Sequence, residues 1–553
     1  MTPVRKAGIG YWQGMLIAAL FAAIIACAGL NSMPPLDRDE ARFAQATTQM
    51  LETGDLINIR FQESARNKKP VGIHWLQAAS VTFFSSPEAR EIWAYRMPSV
   101  LGAILAALFT YLAGARLYNP VTGLLGALLL AAAPGFAGEA TIAKTDAMLL
   151  ATVCMAQAAF IHIYARADEN LPPQWGWPIL LWVALGAGIL IKGPIAPMIL
   201  GLTGIALVFR SRPFRWISFL KPITGAAILF LIVAPWAILI GLETDGRFYT
   251  EAIGGDMLGK VGSVQESHAG PPGYHLALVG ILLWPAVALL VPGLNRALKT
   301  RRAWPTYFLL AWLIPSWLVF ELTATKLPHY TLPLFPALAI LAARAALDGA
   351  AARHALPRKI GASVYFLIGL GVAGAIIALP IIYGDGLTSL VIIAAAIVTA
   401  ITALTAFLFW RGQSFKGAIS AIGVATLVAF ILLEGILPNL SQLKVSPKIA
   451  AAVEKADRHP MRRDVPSVVI AGYYEPSIVF LLGTSTRLTN GEQAALYLTK
   501  HPKAAAVIEA REETAFQAAI KSQQINLTTL AEISGVNYSN GKDVVLTVYA
   551  VSP

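Results

Sequence analysis

A compact group of charged residues opens the segment that follows the first long apolar run. The sequence there reads PPLDRDEARFA, with Asp39 and Glu40 followed by Arg42. If this stretch is helical, Asp39 and Arg42 share one face, because residues three apart are neighbours on a helix. Acids in a first turn also suit the helix macrodipole, so a plain helix start closed by a local salt bridge is one interpretation. The position directly after an apolar run, at the level of lipid headgroups, favours chemistry on a charged substrate.

The same segment continues with ARNKKPVGIHWL, in which Lys68 and Lys69 precede an amphipathic stretch. Such a stretch predicts a helix that lies in the membrane interface, which would hold the lysines at the height of a lipid phosphate. The alternative is that both lysines are interface anchors whose charged ends reach the water.

Acids and bases recur at the end of a later apolar run. GEATIAKTDAMLL places Glu139, Lys144 and Asp146 at one boundary. A carboxylate at the head of a transmembrane helix is costly unless it is paired or hydrated, so Asp146 is the strongest candidate there for a functional acid. The alternative for Asp146 is a helix N-cap.

Two further boundaries carry cations. Lys192, in ILIKGPIAP, has a charge that suits a phosphate, and TKLPHYTLPLFP contains Lys326, His329 and Tyr330. These last three side chains are able to bind a phosphate and stack on a sugar. They are also typical of an interfacial belt of aromatic and basic residues.

Composition identifies the solvent that surrounds most of the chain. Of 553 residues, 56% are hydrophobic and 13% are charged, whereas a soluble domain has about 25% charged residues. The formal net charge of +12 comes from basic residues in short loops between apolar runs, not from a patch with interleaved aromatics, so no nucleic-acid partner is expected. Cys27 and Cys154 lie inside apolar segments and receive no role.

The hydropathy pattern predicts a mostly helical protein in the phospholipid bilayer, with thirteen transmembrane helices of about 20 residues each. Basic residues in alternate loops place the N-terminus in the cytoplasm. We therefore expect residues 1–437 to form a transmembrane catalytic domain with a long first outside loop, residues 32–94. Residues 438–553 alternate strand-like and helix-like runs, which predicts a small α/β domain on the outside.

Taken together, LDRDEARFA, NKKPVGIHWL, KTDAMLLA, LIKGPIAP and TKLPHYTLPLFPALA resemble the GT-C glycosyltransferases of the protein-mannosyltransferase type. Within them, the resemblance is closest to the bacterial lipid A aminoarabinose transferases, and it covers residues 30–340 or so. It implies transfer of 4-amino-4-deoxy-L-arabinose from undecaprenyl phosphate to a lipid A phosphate. It also implies a site on the periplasmic side of the bacterial inner membrane and a contribution to polymyxin resistance.

We expect a catalytic group of Asp39, Glu40 and Asp146, and a substrate-binding group of Arg42, Lys69, Lys192, Lys326, His329 and Tyr330. The resemblance implies the role of Asp39, which matches the acidic position of the first outside loop, and the roles of the substrate-binding group, whereas Glu40 and Asp146 are candidates from their place in the sequence. Within the substrate-binding group, Arg42 and Lys69 match ligands of the donor phosphate. No cofactor and no metal are expected, because His268 and His275 lack the spacing of a metal site. A monomer is expected.

Two other functions fit parts of the pattern. A protein O-mannosyltransferase would share the acids of the first loop and would use a carboxylate base on a Ser or Thr hydroxyl. A lipid transporter or flippase would instead carry charges at midplane depth within broken helices, whereas the charged clusters here lie at the ends of the apolar runs.

Overall fold

The structure, a computed structural model, describes residues 9–210, 214–259, 270–348 and 355–552. Most of these residues are helical, because a backbone in lipid must satisfy its hydrogen bonds within its own segment. Within the described ranges, eight helices are long and apolar enough to cross a membrane. They are Ile92–Leu117, Asp146–Asp168, Pro222–Glu243, Trp304–Leu322, Pro328–Leu347, Ala355–Tyr383, Ser389–Trp410 and Ser414–Asn439.

Two further apolar segments are broken helices. Pro120–Ala131 and Pro134–Ala140 meet at 66°, and Tyr274–Leu282 and Trp284–Lys299 meet at 89°. Counted as single spans, these pairs raise the number to ten. Three shorter apolar helices are Tyr11–Cys27, Gly176–Lys192 and Ile195–Val208. The prediction of a mostly helical, multi-pass membrane protein is confirmed, and each of the thirteen predicted runs overlaps one of these helices or pairs.

The long first loop, residues 32–94, contains two helices, Asp39–Thr53 and Gly72–Phe84. Between them, strand β1 (Arg60–Phe61) pairs with β2 (Ser64–Ala65) in an antiparallel hairpin. Helix Gly72–Phe84 exposes Trp75 and Phe83, as expected of a helix with one face toward lipid. Both predicted helices of this loop are therefore present.

Residues 445–551 form the α/β region. Its strands are Val469–Ala471 (β3), Arg487–Thr489 (β4), Ala505–Glu509 (β5), Leu527–Asn537 (β6) and Lys542–Val551 (β7). The sheet has the order β4-β3-β5-β7-β6, with β3 parallel to β4 and β5, and β7 antiparallel to β5 and β6. The helices are Val445–Lys455, Pro476–Leu482, Gly491–Lys500 and Ala510–Ser522.

The two faces of this sheet bury different clusters, because successive side chains of a strand point to opposite faces. Ile470 packs with Ile449 on one face, and Val469 packs with Phe516 on the other. Phe480, in helix Pro476–Leu482, points out of the α/β region. It packs against residues of the first loop and of helix Ile92–Leu117. The α/β region therefore lies directly on the first outside loop.

Short elements complete the described chain. They are the helices Arg215–Phe219 and Arg247–Tyr249, a π-helix at Thr250–Leu258, a second π-helix at Ile431–Ile436, and 3-10 turns at Trp284–Ala286, Pro328–Leu334, Leu437–Asn439 and Ser441–Leu443.

Candidate functional site

The start of helix Asp39–Thr53 is fixed by a buried ion pair. Glu40 accepts hydrogen bonds from Nε and Nη2 of Arg96 at 2.8 and 2.9 Å, and both side chains are almost fully buried. The same guanidinium donates to the carbonyls of Leu30, Met33 and Pro34. Arg96 thereby ties the turn after the first apolar helix to the helix that follows it.

The Glu40 carboxylate has further partners on the main chain. It accepts from the N–H of Leu36 at 2.8 Å and from the N–H of Ala143 at 2.7 Å. Since both carboxylate oxygens are already bonded within the protein, we interpret Glu40 as a group that positions the loop. This differs from the catalytic role expected for Glu40 from its place in the sequence.

A buried polar chain joins the two helices of the first loop to the segment before Asp146. Thr47 bonds Nδ1 of His74 at 2.8 Å and donates to Gln77 at 2.7 Å, and Gln77 donates to the carbonyl of Ala143 at 3.2 Å. Burial, reinforced by the charge of Arg66, lowers the pKa of His74 to about 3. His74 is therefore neutral and structural.

Glu139, Lys144, Asp146, Lys192 and His329 come together from four apolar segments, and we call this group the outer ion cluster. Lys144 pairs with Glu139 at 2.9 Å, and Lys192 pairs with Asp146 at 2.5 Å. The ring of His329 lies between the two acids, 3.7 Å from Glu139 and 3.6 Å from Asp146. The alternating charges explain how so many ionisable groups are tolerated at low exposure.

The charge of Lys144 is secured by its neighbours. Burial acts to lower the pKa of Lys144, but the carboxylates of Glu139 and Asp146 outweigh it and raise the pKa above its ordinary value, with a smaller contribution from Asp39. Asp39 therefore lies within electrostatic reach of the outer ion cluster. Tyr330 borders the same cluster, with its ring centroid 5.9 Å from Nζ of Lys192.

Asp39 is more accessible than the two acids of the outer ion cluster. Its carboxylate lies 3.7 Å from Nη2 of Arg66, and the Asp39 side chain is 60% exposed. The guanidinium of Arg66 stacks over the ring of Phe43, with 4.9 Å between them. The local salt bridge considered for Asp39 and Arg42 is thus replaced by a pair across the loop, and Asp39 remains open to a substrate.

The first loop also contacts the loop that precedes Tyr274. Lys69 pairs with Asp256 at 2.5 Å, and Asn67 donates to Glu251 at 3.0 Å. Both acids belong to the π-helix Thr250–Leu258. This segment therefore lies over Lys69, the lysine expected to bind the donor phosphate.

Two predicted site residues, Arg42 and Lys326, remain to be placed. Arg42 is partly buried and its charge acts on Asp37. Lys326 donates to the carbonyl of Thr323 at 2.9 Å, and its described contacts do not include the outer ion cluster. Close to it, His275 faces Glu321 at 3.4 Å.

No metal site emerges from the described part of the chain. Within those ranges, no group of three or more His, Cys, Asp or Glu side chains is arranged to hold a metal ion. His268 lies outside the described residues. That transfer requires no metal or cofactor stays a prediction.

Sequence reasoning missed two arginines of this region. Arg66 pairs with Asp39 across a hairpin, and nothing local indicates that pairing. Arg96 carried a usable signal, because a charge at the start of an apolar run must find a partner. Its partner, Glu40, lies 56 positions earlier.

The fold and the site define a polytopic membrane protein with ionisable residues gathered at one end of its helices. Residues 68–239 match the family described as dolichyl-phosphate-mannose-protein mannosyltransferase. ArnT from Cupriavidus metallidurans, solved with undecaprenyl phosphate, has a TM-score of 0.73 at 18% identity, over 96% of this chain and 97% of that one. This chain thus has the fold of that protein, and its resemblance to the GT-C glycosyltransferases is confirmed.

Relatives found by sequence indicate which glycosyltransferases this chain resembles. An undecaprenyl phosphate-alpha-4-amino-4-deoxy-L-arabinose arabinosyl transferase from Yersinia enterocolitica is 27% identical over 374 residues, which is 66% of this chain and 65% of that protein. Its namesake from Erwinia tasmaniensis is 27% identical over 424 residues, or 76% and 73% of the two chains. The match to the Yersinia protein thus covers slightly less than two thirds of its length. The resemblance to bacterial aminoarabinose transferases is confirmed.

Proposed function

We propose that this protein is a polyprenyl-phosphate-sugar-dependent glycosyltransferase. It transfers 4-amino-4-deoxy-L-arabinose from undecaprenyl phosphate to a lipid A phosphate and so contributes to polymyxin resistance. The observation that carries the proposal is the convergence of Asp39 and the outer ion cluster at one end of the helices. The names of the relatives from Yersinia and Erwinia support the choice of sugar and donor.

The donor phosphate is the leaving group. The bond between C1 of the sugar and the phosphate oxygen breaks, and the electron pair stays on undecaprenyl phosphate. Fixed cations stabilise the charge that develops there, and Arg42 and Lys69 are the residues proposed for this role. Because Lys69 is paired with Asp256, the arriving phosphate competes with that carboxylate for the lysine.

The acceptor is a phosphate oxygen of lipid A, which attacks C1 and forms the new bond. An anionic phosphate has no proton to lose, so this reaction needs no general base. Asp39, open to the outside and close to Lys144, instead binds the ammonium group of the sugar or orients the donor. Lys192, His329 and Tyr330 line the same end of the helices and are proposed to contact the phosphate and sugar.

The proposal includes a location and an organisation. In this proposal the chain has thirteen transmembrane helices, its N-terminus lies in the cytoplasm, residues 438–553 lie in the periplasm, and residues 1–437 are the catalytic membrane domain. The protein works as a monomer in the bacterial inner membrane, with its site on the periplasmic side. The basic loops predicted to be cytoplasmic support this orientation.

Mass spectrometry of lipid A tests the reaction directly. Lipid A from cells with and without this protein is compared, and a pentosamine adduct present only with the protein is the expected result. Lipid A that is identical in both strains, with the protein present in the membrane, contradicts the proposal.

The family matched by residues 68–239 supports a second candidate function, which is transfer of mannose to protein. The purified protein is incubated with lipid A in one reaction and with an unfolded Ser- and Thr-rich peptide in the other, each with a polyprenyl-phosphate sugar. Sugar on the peptide alone would favour the mannosyltransferase. Movement of the lipid across proteoliposome membranes with no covalent product would instead favour a flippase.

A further inference from the structure

The turn directly before Asp39 is held by the α/β region. The N–H of Asp37 donates to the hydroxyl of Tyr538, and a carboxylate oxygen of Asp37 accepts from the N–H of Ser477 at 3.0 Å. Nη2 of Arg38 donates to the carbonyl of Ser539 at 2.7 Å. Asp37, through its main chain and side chain, and Arg38, through its side chain, are therefore bonded to the α/β region. The partners lie more than 400 positions later in the sequence.

The backbone at this turn needs such support. Arg38 has φ 63° and ψ −110°, a conformation that a residue with a side chain rarely adopts. Strained backbone of this kind persists where the surroundings hold it in place, and it concentrates at functional sites. Here the next residue in the chain is Asp39, so the direction of the Asp39 side chain depends on this turn.

A second set of contacts fixes the far end of the same helix. Arg90 donates to Glu52 at 2.5 Å and to Gln45 at 2.9 Å, and it also donates to the carbonyl of Phe480 at 2.7 Å. Thr484 donates to Glu52 at 2.6 Å. Helix Asp39–Thr53 is thus clamped at both ends against the α/β region.

We propose that the α/β region is a working part of the transfer site, in which Asp37 is a positioning residue that holds the turn and presents Asp39 toward Lys144. This inference rests on the proposed transferase function. Asp37 acts through the acceptor oxygen that it offers to Ser477, and Tyr538 acts through the hydroxyl that it offers to the main chain of Asp37.

The electrostatics of the turn agree with an acceptor role. Burial, together with the charge of Glu475, raises the pKa of Asp37 to about 6, although the bonds from Ser477 and the charge of Arg42 oppose the rise. The carboxyl group is therefore not held as a strongly stabilised anion. An amide in its place would keep the oxygen that Ser477 uses.

Kinetics of four variants of the full-length protein test the positioning role. For Asp37→Ala we expect kcat to fall by about 10- to 100-fold, the cost of a small misplacement of a catalytic group, with little change in the KM for the donor. Asp37→Asn should restore most of kcat. Tyr538→Phe should lower kcat as well, whereas Tyr474→Phe should leave it unchanged, since the Tyr474 hydroxyl donates within the α/β region, to the carbonyl of Thr489.

Hydrogen–deuterium exchange gives a readout that needs no substrate. The amides of residues 37–42 should exchange faster in Asp37→Ala and Tyr538→Phe than in wild type, and at the wild-type rate in Tyr474→Phe. Unchanged exchange and unchanged kcat in the first two variants would overturn the proposal. Asn as damaging as Ala would also overturn it, because charge and not the acceptor would then matter. If the wild-type protein transferred no sugar to lipid A, the proposed function would fail, while the exchange experiment would still decide whether the α/β region holds the turn.

Discussion

Two adjacent acids, Asp39 and Glu40, show how strongly position on a helix decides what a carboxylate can do. Glu40 points into the protein, where it is 1% exposed and bonded to Arg96 and two main-chain N–H groups. Asp39 points outward, and its ion pair with Arg66, at 3.7 Å, is longer. One acid is therefore committed to structure, while its neighbour remains available to a substrate.

The first prediction concerns Asp39. Asp39→Asn removes the charge and keeps the size of the side chain, so we expect transfer to lipid A to fall by about 100-fold, the cost of a donor that is no longer held in the reactive position. The rate of pentosamine transfer by the purified protein measures it. Asp245→Asn, at an exposed acid of another outside loop, is the matched control and should transfer at the wild-type rate. Wild-type turnover by Asp39→Asn would remove Asp39 from the mechanism.

The second prediction concerns Glu40. Removing one partner of a buried ion pair leaves the other charge without compensation, which costs about 3–5 kcal/mol. We therefore expect Glu40→Ala to lower the apparent melting temperature in detergent markedly. Glu63→Ala, at an exposed position of the same loop, should melt like wild type. A Glu40→Ala protein that melted normally but transferred no sugar would show that Glu40 acts on the substrate.

The sequence indicated single residues better than pairs. Asp146 and Lys192 stood out because a charge at the end of an apolar run is costly, and the structure pairs them with each other. The partner of Asp39 could not be predicted, because Arg66 reaches it only after the hairpin β1–β2 turns the chain back. The partner of a charged residue can be assigned only from the fold, whereas the cost of an isolated charge in an apolar run can be recognised from the sequence.

At the scale of elements, the site depends on contacts between loops at one end of the helices. The first loop meets the π-helix Thr250–Leu258 through Lys69 and Asn67, and it meets the α/β region through the turn before Asp39. Loops held in this way can keep charged groups in place without help from the lipid. The donor phosphate is expected to enter where Lys69 and Asp256 now pair.

The third prediction separates two roles for neighbouring lysines. If Lys69 binds the donor phosphate, Lys69→Ala loses a charge-assisted hydrogen bond of about 1.5–3 kcal/mol, and the Kd for the donor should rise by about tenfold or more. Lys68→Ala should change the Kd much less. A binding titration with undecaprenyl-phosphate aminoarabinose measures both values. Equal effects of the two substitutions would favour the interpretation that both lysines are interface anchors.

Hydropathy predicted where the apolar helices are, but not their direction. The run over 120–137 is broken into two helices at 66°, and the run over 273–293 into two at 89°. A hydropathy average over a window of residues reports apolar composition and contains no information about the direction of the helix axis. Pro134, at the start of the second helix of the first pair, was a local sign of that break. The broken pair ends next to Glu139, so the bend helps to place the outer ion cluster.

At the scale of the whole molecule, the site requires the loops that carry its charged residues to lie on the same side of the membrane. The outer ion cluster, the first loop and the α/β region contact one another in the structure, so they share one side. Their common side relative to the N-terminus depends on the number of spans. An odd number, such as thirteen, places residues 438–553 opposite the N-terminus, whereas eight or ten would place both ends on the same side.

The last prediction uses this difference in parity. In a protein with Cys27→Ser and Cys154→Ala, single cysteines are introduced as Gly10→Cys, Gln413→Cys and Lys503→Cys, all at exposed positions. A maleimide that cannot cross the membrane is added to intact spheroplasts, which expose the periplasmic face. We expect Lys503→Cys to react at once, and Gly10→Cys and Gln413→Cys to react only after permeabilisation. Labelling of Gly10→Cys together with Lys503→Cys would require an even number of spans. Because the α/β region holds the turn before Asp39, that result would place the proposed site on the same side as the N-terminus.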